Sequence, residues 1–201
     1  MDHRKNSLEF QKLTQNKQPN PLLLKALALF GDFNGFAVEL GCGSGIDTIL
    51  LANNDWKVLS IDSNSEGFNN IEKKVDMKII QNIEIKNDYF ENIEIPEADL
   101  IYSYMSLPFC CKNNFFVIWE KITKAIKTNG RIVVSLLGIN DDWGQEPDMT
   151  FLTKEQVYDL LNDFSIEYFE EINFIGKSVL CNTKKWHKFE IIAKKMPYKI
   201  S

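Results

Sequence analysis

Short apolar runs alternate with segments of helical periodicity along most of this chain. Between the runs, apolar residues recur every three or four positions, which predicts helices. Strands and helices that alternate at this spacing are joined by right-handed crossovers into a parallel sheet with helices on both faces. The pattern therefore predicts an α/β fold. The five predicted strands cover residues 36–40, 57–61, 79–85, 100–104 and 131–137.

Residue types at the segment ends support the predicted helices. Asn20 before Pro21 is typical of a helix start, and Gly31 is typical of its end. Asn129-Gly130 is expected to end the helix before the fifth strand. Further helices are predicted over residues 46–52, 67–75 and 114–127.

The alternation changes after the fifth strand. Residues 152–164 predict a helix with Thr153 as its cap. A polar hairpin around Gly176 and Asn182 is expected to join the last two strands of the chain. These strands are predicted over residues 166–175 and 189–193.

The length and the punctuation of the chain predict one domain. A chain of 201 residues suits a single α/β domain with its own core. Residues 1–20 are polar and are interrupted by Pro19, so they are interpreted as an N-terminal arm. Residues 21–201 are interpreted as the domain.

The overall charge and the lack of long apolar runs restrict the expected partners. The formal net charge of -5 disfavours nucleic acid, since polyanion binding favours a basic surface. The polar start does not resemble a signal peptide, and no run approaches the about 18 apolar residues of a membrane span. We therefore expect a cytoplasmic protein without a nucleic-acid or membrane partner. The twin lysines Lys184-Lys185 are interpreted as part of a solvated face.

The cysteines show none of the spacings typical of a metal site or a disulfide framework. We expect no bound metal and interpret the cysteines as small buried hydrophobic residues. They are Cys42, Cys110, Cys111 and Cys181.

A glycine-rich segment, Glu39-Leu40-Gly41-Cys42-Gly43-Ser44-Gly45, lies between a predicted strand and a predicted helix. Its glycines permit positive φ angles and remove Cβ atoms that would keep a ligand from the backbone. The following helix offers free N–H groups and the positive end of its dipole. A dinucleotide-binding loop would need a small residue where Ile46 stands, and no Gly-Lys-Ser or Gly-Lys-Thr of a phosphate loop follows. The segment thus matches neither of these two motifs. It consists of an acidic residue followed by three glycines at every second position.

Acidic residues follow the two neighbouring predicted strands. Asp62 ends the second strand, where a carboxylate can accept from both hydroxyls of a ribose. Asp88 follows the third strand, where it can accept from an adenine amino group, and Tyr89 beside it can cover the ring. Open parallel sheets bind ligands at this edge, so these residues and the glycine loop form one candidate site.

Together, the glycine loop, Asp62, Asp88-Tyr89 and the strand Asp99–Ser103 resemble the class I S-adenosylmethionine-dependent methyltransferases. The likeness runs from about residue 21 to residue 137. It implies a Rossmann-like, mostly parallel sheet of seven strands with the last strand antiparallel, and S-adenosylmethionine as the cofactor. Further segments resemble the small bacterial enzymes grouped with tellurite-resistance and thiopurine-type methyltransferases, namely Gly43–Thr48, Ser106–Cys110 and Lys184–His187.

The resemblance also implies roles for single residues around the cofactor. The loop from Gly41 to Gly43 would hold the methionine part, and Ser103 would lie beside the transferring methyl. Glu39 would orient the loop or a water molecule, and Asp47 would balance the dipole of the following helix. The implied cofactor-binding residues are Glu39, Gly41, Cys42, Gly43, Gly45, Asp62, Ser63, Asp88, Tyr89 and Ser103.

Methyl transfer from a sulfonium is an in-line displacement, so positioning and desolvation carry much of the rate. A base is needed only for an acceptor that arrives protonated. The candidate catalytic residues are Ser103, Tyr104 and His187.

The candidate acceptor site lies beyond the fourth and fifth strands. Tyr104 and Phe109 are candidate walls for a small planar acceptor, and Asp141 beside Trp143 favours a cationic one. Tyr104 stands where amino-group methyltransferases on nucleic acids and proteins carry an amide or a carboxylate, so methylation of bases or of glutamine is disfavoured.

These observations predict an enzyme, monomeric or homodimeric, that methylates a small molecule with S-adenosylmethionine. Two alternatives remain. The first is a non-catalytic S-adenosylmethionine-binding or protein-partner module of the same fold. The second is a nicotinamide oxidoreductase, which Ile46 disfavours.

Overall fold

The computed structural model describes residues 7–179 and 183–197. Cys181 and Asn182, the centre of the expected hairpin, lie outside the described residues, as does the start of the arm. The strands are β1 (Phe36–Leu40), β2 (Lys57–Asp62), β3 (Ile83–Asn87), β4 (Ala98–Ser103), β5 (Ile126–Gly138), β6 (Phe151–Leu152), β7 (Phe164–Lys177) and β8 (Thr183–Lys195). The helices are α1 (Ser7–Thr14), α2 (Pro21–Phe30), α3 (Ile46–Asn53), α4 (Glu66–Lys74), α5 (Met77–Ile80), α6 (Lys112–Ala125) and α7 (Lys154–Leu160), with a 3-10 turn at Leu107–Phe109.

All eight described strands belong to one sheet, in which seven follow the order β3-β2-β1-β4-β5-β8-β7 and β6 pairs with β5 outside this order. The first five strands of this order are parallel, and β8 runs antiparallel to both β5 and β7. This confirms the predicted α/β, Rossmann-like sheet with an antiparallel last strand. The predicted number of seven strands is too low by one, because the two-residue strand β6 pairs with the carboxyl end of β5.

The sheet buries apolar side chains on both faces. Strand β1 shows the division, since Ala37 packs with α2 and α3 while Val38 packs with α6 and α7. A parallel strand inside such a sheet is covered twice, which is why it appears in the sequence as a continuous apolar run. Within the described residues, no helix is both long enough and apolar enough to cross a bilayer.

The predicted helix caps are present. The Asn20 side chain accepts from Leu22 N at 2.9 Å, and Gly31 ends α2 with a φ of 62°. Thr153 and Gln156 form a reciprocal capping box at the start of α7. This helix is shorter than predicted, since the residues on either side of it join β6 and β7.

Two predicted boundaries are wrong for local reasons. Residues 79–85 do not form one strand, because the Asp76 side chain accepts from Lys78 N and Ile79 N and starts a helical turn there. Asn129-Gly130 does not end α6, which stops at Ala125. Strand β5 begins at once, and residues 127–130 bulge out of its pairing with β4.

The two final strands are longer than predicted. Strand β8 begins at Thr183, so Lys184 and His187 lie inside it and not before it. The N-terminal arm contains α1, which is tied to α4 where Lys74 Nζ donates to the carbonyl of Gln15.

Candidate functional site

The glycine loop follows β1 and is attached to the end of β2. Both Gly41 N and Cys42 N donate to the carbonyl of Ile61, at 2.8 and 3.3 Å. Gly41, Gly43 and Gly45 all have left-handed φ angles, of 82°, 52° and 76°. The loop thus requires glycine for its backbone conformation.

The surroundings of the three glycines differ. A Cβ atom at Gly41 would overlap the Ser106 side chain, and one at Gly45 would overlap Ile71. A Cβ at Gly43 would meet only Phe10 of α1, at 3.8 Å. Gly43 therefore marks the open side of the loop, where a ligand can approach the backbone.

Asp62 joins the loop to the neighbouring strand tips. Its Oδ2 accepts from Gly43 N at 2.8 Å and its Oδ1 from Asn64 N at 2.9 Å. The Asp62 carbonyl accepts from Asp88 N at 3.1 Å. The structure therefore brings the glycine loop, Asp62 and Asp88 to one place. Burial raises the pKa of Asp62, whereas its two backbone hydrogen bonds lower it.

Asp88 and its neighbours form the outer part of this site. The Asp88 Oδ1 accepts from Tyr89 N at 2.8 Å and from Asn92 Nδ2 at 3.0 Å. These bonds lower the Asp88 pKa, which keeps the carboxylate ionised. Tyr89 and Ser63 are exposed beside it. These side chains line the edge of the sheet that faces solvent.

Glu39 lies buried beneath the loop. Thr48 Oγ1 donates to its Oε2, and Ser60 Oγ lies 3.5 Å from the same oxygen. Burial raises the Glu39 pKa to about 8, and the negative charges of Asp47 and Asp62 add to this shift. A positive charge near the loop would favour the ionised form of Glu39.

Asp47 does more than balance the dipole of α3. Its Oδ1 accepts from Asn20 N at 2.8 Å, and its Oδ2 accepts from the Tyr102 hydroxyl at 2.6 Å. It therefore connects α3 to the start of α2 and to β4. With Glu39 and Asp62 it surrounds the loop with three acidic groups, an arrangement that favours a cationic ligand.

The two candidate residues at the end of β4 have different surroundings. Ser103 is fully buried, and its hydroxyl donates to the Leu40 carbonyl at 3.0 Å, which connects β4 to β1. Tyr104 is half-buried, and its hydroxyl donates to Glu190 Oε1 at 2.8 Å and accepts from Lys188 Nζ at 2.7 Å.

The loop after β5 is bound to β8 by Asp141. This buried carboxylate forms an ion pair with Lys184 and also accepts from His187 N and Trp143 N, both at 3.0 Å. The interpretation of Lys184 as solvated is therefore wrong. Its ammonium lies 3.6 Å from the centre of the Trp143 ring and 3.8 Å from that of Trp186. The Asp141 charge is compensated inside the protein.

His187 is buried, and both of its ring nitrogens have partners. Its Nδ1 accepts from Asn140 N at 3.1 Å, so Nε2 carries the proton that it shares with Glu171, also at 3.1 Å. The ring packs on Gly138, where any Cβ would overlap it. These contacts give His187 a structural position between β5, β7 and β8.

Aromatic rings form a wall beyond the ends of β4 and β5. The Trp143 ring centre lies 6.2 Å from that of Phe109 and 5.2 Å from that of Trp186. Phe174 stacks on Trp186 at 6.2 Å. Phe109 and Phe174 remain exposed, so the wall presents apolar ring surface to a ligand.

Sequence reasoning missed several residues around the site. The strongest case is Gly67 in the first turn of α4, where a Cβ would overlap the Gly43 carbonyl. Its only signal in the sequence is a glycine near a helix start. Lys188 and Glu190 carry no local signal, since their contacts come from the tertiary fold.

Comparisons with known proteins agree with this geometry. A family model described as a methyltransferase domain matches residues 37–130. No curated protein matches the chain significantly. The family match and the fold confirm the resemblance to class I methyltransferases.

Several solved structures have a similar fold. TehB from Haemophilus influenzae superposes with a TM-score of 0.73 at 17% identity, covering 92% of this chain and 65% of TehB. This chain thus spans just under two thirds of the TehB chain. The 1,6-didemethyltoxoflavin-N1-methyltransferase of Burkholderia thailandensis gives 0.68 at 13% identity, with 89% and 78% covered. The N-methyltransferase NodS of Bradyrhizobium japonicum gives 0.66 at 14% identity, with 94% and 98% covered.

Proposed function

Because a family model described as a methyltransferase domain matches residues 37–130, we propose that this protein binds S-adenosylmethionine at the glycine loop and methylates a small molecule. The observation that carries the proposal is the bond from Gly43 N to Asp62. It joins the glycine loop to the end of β2 at the carboxyl edge of the sheet, and we place the cofactor crevice there because such sheets bind ligands at that edge.

The residues of this crevice fit the cofactor chemically. S-adenosylmethionine carries a sulfonium and an ammonium group, and three acidic side chains surround the loop, those of Glu39, Asp47 and Asp62. The absence of a side chain at Gly43 leaves the backbone open to the methionine part. The cofactor, when bound, supplies an electrophilic methyl group.

Each part of the cofactor has a candidate partner. We assign the methionine part to the backbone of Gly41, Cys42, Gly43 and Gly45, above the buried Glu39. The ribose is assigned to Asp62 and Ser63, and the adenine to Asp88 and Tyr89. The Ser103 hydroxyl donates to the Leu40 carbonyl, so only the Ser103 backbone remains for contact with the cofactor.

A small acceptor is supported by the surface next to the crevice. The aromatic wall of Phe109, Trp143 and Trp186 offers ring surface to a planar molecule. The net charge of -5 disfavours a polyanionic acceptor. The Burkholderia enzyme of similar fold was crystallised with its small heterocycle 1,6-didemethyltoxoflavin bound.

Calorimetry with S-adenosylhomocysteine tests the cofactor, and transfer of a labelled methyl group tests the acceptor. The acceptor panel is catechol, 6-mercaptopurine, pyridine and tellurite, which offer oxygen, sulfur, nitrogen and a metalloid. We expect S-adenosylhomocysteine to bind and at least one compound to be labelled. Binding without any transfer would favour the non-catalytic alternative. Binding of NADH in place of S-adenosylhomocysteine would overturn the proposal.

A further inference from the structure

Three polar side chains meet at the end of β4, beside apolar residues of the same face of the sheet. The Tyr104 hydroxyl contacts Glu190 Oε1 at 2.8 Å and Lys188 Nζ at 2.7 Å, and these two groups lie 2.5 Å apart. The Lys188 and Glu190 side chains are only 14% and 15% exposed. Next to them on the same face lie Val133 and Ile192, both buried.

The backbone of Tyr104, whose side chain forms a triad with Lys188 and Glu190, lies next to the glycine loop. The Ser106 hydroxyl is 3.2 Å from the Gly41 carbonyl and 3.3 Å from the Tyr104 carbonyl, so a single hydroxyl separates the two backbones. Tyr104 therefore stands at the edge of the proposed cofactor crevice.

The backbone at Met105, directly after Tyr104, is strained and is fixed by a hydrogen bond. Met105 has a φ of 52°, which is unfavourable for a residue with a side chain, and its N–H donates to Ser135 Oγ at 2.7 Å. Strain of this kind persists where the surrounding structure demands it, and it is concentrated at functional sites.

Packing alone does not account for the triad. A largely buried ion pair is often no more stabilising than apolar side chains of similar volume, because both charges lose their hydration. The neighbouring strand positions show that apolar residues are accommodated on this face. A chemical role gives a reason for three polar groups at this position.

We propose that Tyr104 takes the proton of the methyl acceptor and passes its own hydroxyl proton to Glu190, while Lys188 positions both groups. This inference rests on the proposed function and extends it to a substrate class. The acceptor is a small molecule whose nucleophilic atom arrives protonated, such as the hydroxyl of a phenol or the thiol of a thiopurine.

The step balances. A bond forms between the acceptor atom and the methyl carbon, and the carbon–sulfur bond breaks with its electron pair on sulfur. The acceptor proton moves to the Tyr104 oxygen as the Tyr104 proton moves to Glu190 Oε1. The positive charge of the sulfonium and the negative charge of Glu190 disappear together, and the partly exposed Glu190 then releases its proton to water.

The kinetic test uses Tyr104→Phe and Glu190→Gln. With catechol or 6-mercaptopurine as acceptor, we expect each variant to lower kcat/KM by about 100-fold, with unchanged Kd for S-adenosylhomocysteine. Transfer to pyridine, which has no proton to lose, should persist in both variants. An equal loss with pyridine, or no loss with the protonated acceptors, would overturn the proposal.

A matched control lies on the adjacent strand. The Tyr168 hydroxyl donates to the Glu170 carboxylate in β7, in an exposed position; Glu170 pairs with Glu190 across β7 and β8, so this pair lies beside the triad. Tyr168→Phe deletes the same chemical group from a similar pair, and we expect it to retain wild-type transfer. If Tyr168→Phe lost as much activity as Tyr104→Phe, the special role of Tyr104 would be wrong.

A second measurement needs neither cofactor nor acceptor. Tyrosinate absorbance is followed against pH, and the difference between each protein and its Tyr104→Phe counterpart isolates Tyr104. The Tyr104 transition should move to lower pH in Glu190→Gln and to higher pH in Lys188→Met, because Glu190 favours the protonated phenol and Lys188 disfavours it. Tyr102, with Asp47 behind it, also faces Tyr104, and Tyr168 and Glu170 of β7 lie beside Glu190; all of these groups are unchanged in both variants.

The outcomes separate the two proposals. If the wild type fails to bind S-adenosylhomocysteine, the proposed function fails whatever the titration shows. If the wild type binds and transfers but the Tyr104 transition stays in place in both variants, only the relay is wrong. If the wild type binds S-adenosylhomocysteine but methylates no compound of the panel, the relay is overturned, whatever the titration shows, because the shifts report only the charges around Tyr104.

Discussion

At the residue scale, the Asp62 carboxylate has two structural roles. It accepts from Gly43 N and from Asn64 N, so it shapes the glycine loop as well as the end of β2. In the proposed complex the same group also receives the ribose. An amide at this position keeps one oxygen acceptor but loses the charge that strengthens these bonds.

Replacing Asp62 with Asn is expected to weaken S-adenosylhomocysteine binding by about 10-fold or more, the effect of losing one charge-assisted hydrogen bond. Calorimetry measures this change, and urea unfolding verifies that the fold is intact. Asp88→Asn is the comparison, since Asp88 has no bond to the glycine loop and should cost less affinity. A Kd for Asp62→Asn equal to that of the wild type would remove Asp62 from the cofactor site.

Glu39 makes stability depend on pH. Its pKa is raised from 4.5 to about 8, mainly by burial, so the folded protein keeps a proton that the unfolded chain releases above pH 4.5. Rising pH therefore favours the unfolded state between these two values. The contribution is fully present below pH 4.5 and has been lost once the pH passes about 8.

We expect Glu39→Gln to remove this dependence. Relative to the variant, the wild type should lose at least about 1 kcal/mol of unfolding free energy between pH 4.5 and pH 8, as measured by urea denaturation. Glu120→Gln serves as the control, because Glu120 is exposed and its pKa is lowered by Lys124. Parallel pH profiles for the wild type and Glu39→Gln would show that Glu39 is ionised in the folded protein.

At the element scale, α4 sets the shape of the glycine loop from the outside. Gly67 lets the first turn of α4 approach the Gly43 carbonyl, and the Asn70 amide donates to the Ser44 carbonyl. Ile71 of the same helix packs against Gly45. One face of α4 thus contacts the loop at three successive residues.

Gly67→Ala is expected to weaken S-adenosylhomocysteine binding by about 10-fold or more, because the added methyl group displaces the Gly43 backbone. An alanine within a helix normally stabilises it by roughly 0.5–1 kcal/mol relative to glycine. A loss of affinity in Gly67→Ala therefore reports the contact between α4 and the glycine loop and not a weaker helix. Asn69→Ala, on the exposed side of the same helix, should bind as the wild type does. Undiminished binding by Gly67→Ala would show that the added methyl group does not displace the glycine loop.

The elements themselves differ in how far their sequences predict them. The caps of α2 and α7 were predictable, because Asn20 and Thr153 bind backbone groups only two or three residues away. The end of α6 was not, since Ile126 leaves the helix to pair with Ala98 in β4. A distant strand competes there with the local helical preference and prevails.

At the scale of the whole molecule, the position of β8 decides which residues meet at the acceptor side of the site. This strand lies antiparallel between β5 and β7 and carries Lys184, Lys188 and Glu190 on one face. Lys184 neutralises Asp141 in the loop after β5, while the other two meet Tyr104 at the end of β4. The acceptor side is therefore assembled from three distant parts of the chain.

The sequence by itself determined the parallel sheet, the glycine loop and the carboxylates at the tips of β2 and β3. Periodicity and capping act over a few residues, and parallel strands necessarily end at a common edge, so local information is sufficient for these features. Only the tertiary structure decided the partners of Glu39, the burial of His187 and the grouping of Tyr104 with Lys188 and Glu190. Glu190 lies 86 residues from Tyr104 in the chain, and their contact depends on strand pairing that no local pattern encodes.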